Sequence, residues 1–575
     1  MELFIGERDI LFTMELEKLI RSFCLQNAVQ YGGKVNIGSV LGKVLSASPE
    51  LRNRVDEIRK KISEEAKKVE KLGAAEQEKE LEKVDQDIFE KKVEKVGAEK
   101  LPELKNVTGK VVMRMAPNPN GPAHIGHCRM AILNDEYVKR HKGTLILRFD
   151  DTDPKNENKL PMKEAYKWIE EDLKWLGVDF HRVERASARL DVYYKYFGQI
   201  LEKGFAYVCT CKQEEWSDLV RKGGGSCPCR KLAVKENLDR WKKMLSGKFK
   251  EGQAVGRMKT HGEDDPAVRE WVTFRIVDAP QHPFADKKLK VWPMLDFASA
   301  IDDFDFGITH IIRGKDLIVS EKRQRVLYEY MGWKYPETRV YGKFITTEEM
   351  VISKSKVLAG IKSGLYTGYD DPKLVFLRAL KRRGILPQAI RNYMLNLGLN
   401  EAETTVDLEI LFSENRKLID KSADRYMVVL DPEQVDISEP LKKSNLKYAE
   451  IKYHPDKEKT RKIGVQNKVF VSGDDLKNFK GKDVRLIDLF NILVGQKAKY
   501  SKEQGFGFDT KKIQWVATDD CVKVKLVTPE GVKEGVGEIG LLKLKPDTII
   551  QMLRIGFGRI DFVGKDSITI YFGHK

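Results

Sequence analysis

Cysteine is scarce in this chain, with seven among 575 residues and four of those crowded between 209 and 229. That excludes a disulfide scaffold and points to a reducing, cytoplasmic compartment. Long apolar runs are missing too. No stretch of eighteen apolar residues occurs, so no membrane-spanning helix is expected. The N-terminal Met1-Glu2-Leu3-Phe4-Ile5-Gly6-Glu7-Arg8-Asp9 carries acids and no long apolar region, which argues against a signal peptide. No internal repeat stands out. Acids are the minority charge, 87 against 103 Lys plus Arg, for a net charge of +16. A polyanionic partner fits that balance, although basic charge alone is weak support.

What is present is enough for several cores: a hydrophobic fraction of 41% and a charged fraction of 33% describe a globular protein, of roughly three or four domains at this length. Residues 1 to about 50 read as a small helical unit with turn-like breaks at Tyr31-Gly32-Gly33 and at Gly42. From Leu51, the residues Val55, Ile58, Ile62, Ala66, Val69 and Leu72 recur at steps of three and four, a narrow helical stripe among dense Lys and Glu. The stripe thins through Leu81, Val84, Ile88 and Val93 and ends near Pro102, as a solvated arm would. Residues 1–106 are therefore taken as a helical extension with a charged linker.

From 107 to 335 strand-like and helical runs alternate, as in an α/β sheet domain. Thr144–Phe149 reads as a strand running into Asp150-Asp151-Thr152-Asp153, and a helix follows with Pro161 near its start and Gly177 as its stop. Runs beginning at Val291 and Gly307 read as two more short strands. The span from about 190 to 285 breaks the rhythm, carries the clustered cysteines and is read as an insertion. Residues 336–430 hold a polar loop and helical runs with basic faces, among them Leu374–Arg383. Residues 431–575 give way to short strands separated by Gly and Asp turns, all-β and barrel-like.

Chemistry concentrates at the junction of a strand and a helix. Lys110-Val111-Val112-Met113 leads into Arg114-Met115-Ala116-Pro117-Asn118-Pro119-Asn120-Gly121-Pro122-Ala123-His124-Ile125-Gly126-His127, and an apolar-periodic run starts at Cys128. A helix N-terminus offers unpaired N–H groups and a positive dipole end to an anion. Gly126, lacking a side chain, lets a flat ring or phosphate approach the backbone, while His124 and His127 add donors for a phosphoryl group as charge builds. This stretch resembles the HIGH signature of class I aminoacyl-tRNA synthetases, in the glutamyl/glutaminyl branch. Val351-Ile352-Ser353-Lys354-Ser355-Lys356 is similar to the KMSKS loop of the same class, with Val351 in place of the first lysine.

The resemblance covers roughly 107–575 and implies a Rossmann-type parallel-sheet catalytic domain with an inserted acceptor-end-binding domain, a helical stem-contact region and anticodon-binding β-barrels. It points to the glutamyl branch in its archaeal/eukaryotic form, because bacterial glutamyl enzymes end in helices. Its implied activity is two-step: glutamate and ATP give glutamyl-adenylate and pyrophosphate, then glutamate passes to the 3′-terminal adenosine of tRNA(Glu), with tRNA(Gln) an open second acceptor. ATP would come with Mg²⁺, and a monomer is expected. By the same resemblance His124, His127 and Lys354 are the catalytic set, and Gly126, Ile352, Ser353 and Lys354 meet ATP. Glutamate would be met by Arg114, Asn118, Asp150, Ser299 and Arg313. Arg313 argues against the glutaminyl branch, since a guanidinium rewards a carboxylate with a bidentate pair and is left unsatisfied by an amide. Leu295 and Ser299 depart from residues common in relatives, so the amino-acid pocket is expected to be lined differently. Tyr369-Asp370-Asp371-Pro372-Lys373 resembles a stem-contacting segment.

Cys209-Thr210-Cys211 and Cys227-Pro228-Cys229, with fifteen residues between the pairs, supply four soft ligands for a structural Zn²⁺. Unliganded or redox-active cysteines are the alternatives. For the whole chain the competing readings are a glutaminyl enzyme and an RNA-binding paralogue without catalysis. Both histidines, Lys354 and the full C-terminal region count against the second.

Overall fold

The computed structural model describes residues 3–30, 33–47, 51, 54–73, 76–77, 80–81, 101–222, 224–260, 265–345, 350–501 and 510–575. Contacts divide the chain into two units, 1–96 and 97–575. The first holds α1 (Leu3–Gln30), α2 (Ile37–Ala47) and α3 (Val55–Val69). The periodic stripe of α3 is its buried face: Ile58, Ile62, Ala66 and Val69 pack with Ile20, Cys24, Leu25, Val40 and Val44. Gly42 does not break the chain. It lies inside α2, where burial of Val40, Leu41 and Val44 outweighs the propensity cost of about 1 kcal/mol for a helical glycine. The break at Tyr31-Gly32 and the stripe at Val84, Ile88 and Val93 lie outside the described residues.

The second unit opens with a parallel sheet. β1 (Val112–Met115) pairs with β2 (Thr144–Phe149), which pairs with β3 (Arg182–Arg185), connected by α4 (Ile125–Arg140) and α5 (Lys163–Trp175). Helix α5 stops at Leu176, and Gly177 takes φ +73°, a left-handed position that favours glycine. An antiparallel sheet then intervenes. After α6 (Leu190–Glu202) come β4 (Ala206–Cys209), α7 (Val234–Leu245), β5 (Val255–Met258), β6 (Val272–Ile276) and β7 (Val291–Pro293), in the order β4-β5-β6-β7. The run at Val291 thus belongs to this sheet and not to the parallel one. Pairing with β6 gives its backbone a partner, and Trp292 is fully buried with Phe197, Phe274 and Phe297.

The chain returns through α8 (Leu295–Asp305) to β8 (His310–Gly314), then α9 (Ile318–Met331) and β9 (Glu337–Tyr341), parallel to β8. The two parallel pieces meet where Thr309 N–H donates to Val112 O at 2.9 Å and Val112 N–H donates to Thr309 Oγ1 at 3.0 Å. The resulting order, β3-β2-β1-β8-β9, is that of a doubly wound sheet whose strands begin again on the far side of β1, the switch point at which such folds bind ligands.

After β10 (Phe344–Ile345) come α10 (Lys354–Lys362), α11 (Leu377–Arg382) and α12 (Pro387–Leu397). The helix expected from Leu374 begins only at Leu377. Val375 and Phe376 stay extended because their backbones are engaged elsewhere: Ile125 N–H donates to Val375 O and Phe376 bridges His124.

The C-terminal β-region starts at Asp424, earlier than expected. Its seven-stranded sheet begins with Asp424–Tyr426 and ends with Val428–Leu430, separated only by Met427. The first and last strands are therefore one continuous run, which curls the sheet nearly into a barrel. A second β-body combines three- and four-stranded sheets over one core containing Val469, Val484 and Trp515. Barrel and helices are tied by Arg383, whose guanidinium donates to Phe572 O and Gly573 O. No helix among the described residues is long and apolar enough to cross a membrane.

Candidate active site

His124 is the N-cap of α4. Its Nδ1 accepts from Gly126 N–H at 3.1 Å, and His127 Nδ1 accepts from His124 N–H at 3.2 Å, a reciprocal capping box built from two imidazoles. The ring centroids lie 3.9 Å apart. Because each Nδ1 accepts, each ring proton sits on Nε2. Burial, with Lys354 close by, pushes the His124 pKa down to about 3, and burial followed by His124 and Lys354 holds His127 well below its ordinary value. Both rings are neutral donors at neutral pH. Gly126 turns out to serve the cap itself: a Cβ there would stand 2.9 Å from His124 Cε1.

Lys354 begins α10 and is buried beneath the Pro/Asn/Gly loop, with Nζ donating to Asn118 O at 3.2 Å and Gly121 O at 3.1 Å. Burial pushes its pKa down to about 7, against the pull of Asp172. Asp172 Oδ2 in turn accepts from Ala123 N–H at 3.1 Å. The histidines and Lys354 line one cavity of about 480 Å³ with Asn118, Asn120, Asn158, Ile352 and Ser353. Two segments more than two hundred residues apart are thereby joined, and a cation that readily gains or loses its proton faces two fixed N–H donors. That arrangement suits an anion such as a polyphosphate.

The arginines form a separate cluster. Arg114 Nε and Nη2 make a bidentate pair with Asp303, at 2.9 and 3.2 Å. Arg148, fully buried at the end of β2, donates through Nε to Asp302 Oδ2 at 2.6 Å and through Nη1 to Asp150 Oδ1 at 3.2 Å. Asp302 also accepts from Arg189 Nε and the Tyr193 hydroxyl. Burial lifts the Asp150 carboxyl above the usual carboxylate range, with Arg148 pulling it back. Asn118 Nδ2 donates to Asp150 O at 3.0 Å, which links the signature loop to the Asp-rich loop.

Among the described residues, no acid pairs with Arg313, at the end of β8. Its Nη2 donates to Gln324 Oε1 at 3.0 Å and to the Tyr335 hydroxyl at 3.1 Å, while its Nε is buried without an acceptor. Ser299 joins the same chain by accepting from Gln324 Nε2 at 2.7 Å. Asp302, Asp303, Gln324 and Tyr335 escaped the sequence reading. Their only signal was the adjacent acid pair at the end of α8, which does not say whom it meets.

In the insertion, Cys209, Cys211, Cys227 and Cys229 bring four sulfurs within 4.8 Å of one another, with Sγ–Sγ separations of 3.5, 3.8 and 3.7 Å. A tetrahedral Zn²⁺ at Zn–S of about 2.3 Å requires sulfurs roughly 3.8 Å apart, so the set fits. Arg240 Nη1 donates to Cys229 Sγ at 3.5 Å, a contact of the kind that steadies a thiolate ligand.

Known proteins resemble this chain along most of its length. Residues 110–421 match the catalytic domain of class I tRNA synthetases (E and Q), and residues 423–505 and 512–561 match two anticodon-binding domains of the same group. The chain is 42% identical to a glutamate–tRNA ligase of Pyrococcus horikoshii, over 98% of this chain and 100% of that one. It is 41% identical to one of Methanocaldococcus jannaschii, over 97% and 100%. A solved glutamate tRNA ligase of Elizabethkingia meningosepticum is similar at 23% identity and a TM-score of 0.39, covering 55% of this chain and 70% of that one, too distant to transfer residues.

Proposed function

Because the chain belongs to the class I tRNA synthetases of the glutamate and glutamine type, we infer that it is a glutamate–tRNA ligase. The end-to-end likeness to archaeal ligases of that name carries the reading. A carboxylate oxygen of glutamate attacks the α-phosphorus of MgATP, the bond to the β-phosphate breaks, and pyrophosphate leaves. The terminal ribose hydroxyl of tRNA then takes the acyl group, and AMP leaves. The histidine Nε2–H groups and Lys354 stabilise the charge that develops on the phosphates, so no side chain acts as nucleophile. Lys354 would exchange its two carbonyl acceptors for phosphate oxygens, a trade that raises its proton affinity.

On the amino-acid side Arg313 suits the substrate's side-chain carboxylate, because among the described residues its guanidinium has no acidic partner, whereas Arg114 already has Asp303. Asp150 is assigned to the α-amino group, with Asn118 and Ser299 shaping the pocket. Gly126, Ile352 and Ser353 flank the nucleotide. The four thiolates are read as a structural zinc site, since no ligand position is left open. Metal analysis should find one zinc per chain, lost in Cys227→Ala. The enzyme is read as a cytoplasmic monomer.

The deciding assay is ATP–pyrophosphate exchange in the presence of total tRNA, with glutamate and glutamine side by side. Exchange with glutamate alone is expected; exchange with glutamine, or with neither, overturns the reading. Charging of purified tRNA(Glu) and tRNA(Gln) separates a ligase for one acceptor from a ligase for both.

A further inference from the structure

A buried guanidinium held only by neutral groups is a choice that a neighbouring residue has made. Arg313 is 3% exposed, and among the described residues no carboxylate forms an ion pair with it. Beyond Gln324 and Tyr335, it reaches only Leu317 O, at 3.5 Å through Nη1. Arg114 lies close enough to act on the same Tyr335 hydroxyl, yet its charge is cancelled by Asp303. Arg325 lies over the same ring, 4.5 Å from its centroid, and is paired with Glu321; of these three cations Arg313 alone has no acid pairing among the described residues.

The orientation of Gln324 follows from its far end. Ser299 Oγ gives its proton to Leu295 O at 2.8 Å and so can only accept from Gln324 Nε2, at 2.7 Å. That leaves Gln324 Oε1 aimed at Arg313 Nη2, at 3.0 Å, and at the Tyr335 hydroxyl, which donates to it at 2.7 Å. Burial pushes the Tyr335 pKa up to about 12, so the phenol stays neutral. Every fixed partner of Arg313 is a dipole.

We propose that Gln324 is a positioning residue that sets the enzyme's preference for a charged amino-acid side chain, by fixing Arg313 through a neutral amide and leaving its charge for the substrate carboxylate. This rests on the reading that the chain activates glutamate. A glutamate at 324 would have the same length and reach the same Nη2, but it would neutralise Arg313 internally and set a like charge beside the incoming carboxylate. A substrate amide would lose little by that change.

The test uses the full-length enzyme in tRNA-dependent pyrophosphate exchange, with glutamate and glutamine compared for wild type, Gln324→Glu and Gln324→Met. In Gln324→Glu, kcat/KM for glutamate should fall about a hundredfold, chiefly through KM, while that for glutamine stays within a few fold, so the preference collapses. Gln324→Met removes the hold but not the charge: glutamate KM should rise about tenfold with the preference kept. A glutamate preference that survives Gln324→Glu, or an unchanged glutamate KM in Gln324→Met, overturns the proposal. Should Gln324→Glu fail to fold, the KM of Gln324→Met decides. A wild-type enzyme that activates glutamine instead refutes the ligase reading itself, and that arm separates the two failures.

Discussion

The signature pocket and the arginine cluster, a few residues apart along β1, treat buried charge in opposite ways. In the pocket, burial has driven His124 and His127 to neutrality and brought Lys354 to a pKa of about 7, its ammonium donating to the carbonyl oxygens of Asn118 and Gly121. In the cluster, guanidinium groups stay charged, and three of the four are matched to acids, Arg114 to Asp303 and Arg148 and Arg189 to Asp302. Imidazole and ammonium can shed a proton when desolvated, whereas guanidinium cannot and must find a partner. The pocket can therefore adjust its charge to a polyphosphate that arrives and departs. The cluster holds its charge permanently, which suits recognition of a carboxylate by shape and sign.

The comparison is broken most severely by Asp302→Asn. It removes the charge that the fully buried Arg148 shares with Arg189, leaving Arg148 with Asp150 and Arg189 with Asp305. It also puts an amide NH2 where one of the oxygens accepting from Arg148, Arg189 and Tyr193 stood, at a cost of about 3–5 kcal/mol read from chemical denaturation. A loss below 1 kcal/mol would mean that the pair is not buried as described. Next comes Lys354→Ala, which should slow adenylate formation by roughly a hundredfold, about 3 kcal/mol, while tRNA affinity measured by filter binding stays nearly intact. An unchanged exchange rate would remove Lys354 from the chemistry.

The protonation of Lys354 gives a finer test. Below pH 7 its amine is already charged in the free enzyme, so ATP binding gains nothing from further acid. Above pH 7 a proton must be taken up, and ATP affinity should fall by as much as about tenfold per unit, until the phosphate-bound amine itself titrates. Lys354→Arg should lose this slope while keeping whatever dependence ATP brings; parallel profiles would contradict the assignment. The histidines, neutral throughout this range, should add no inflection near pH 6.5. The smallest effect is expected from Gly126→Ala, whose Cβ crowds the capping ring: about 1 kcal/mol of stability in the same denaturation assay.

Legibility followed the distance between partners. The reading that a strand opens into a helix at His124, and that the helix after Asp150 stops before Gly177, needed only neighbouring residues. The cysteine pairs were visible because each lies within three residues. Expectations failed where tertiary contact overrode local preference. Gly42 sits inside a helix, and Val375 and Phe376 stayed extended against the signature helix. At Gly126 the local reading gave room for a ligand, and the fold adds that any side chain there would crowd the His124 ring.

By itself the sequence determined the order of the elements, the two signature segments and the four soft ligands, because each depends on residue types at short, regular spacing. Only the tertiary structure decided which arginine is neutralised. Asp303 meets Arg114 across 189 positions, Gln324 meets Arg313 across the turn into α9, and Lys354 reaches the loop at Asn118 across 236. Such pairings are selected by the desolvation cost of a buried charge, a quantity that exists only once the chain has closed around it.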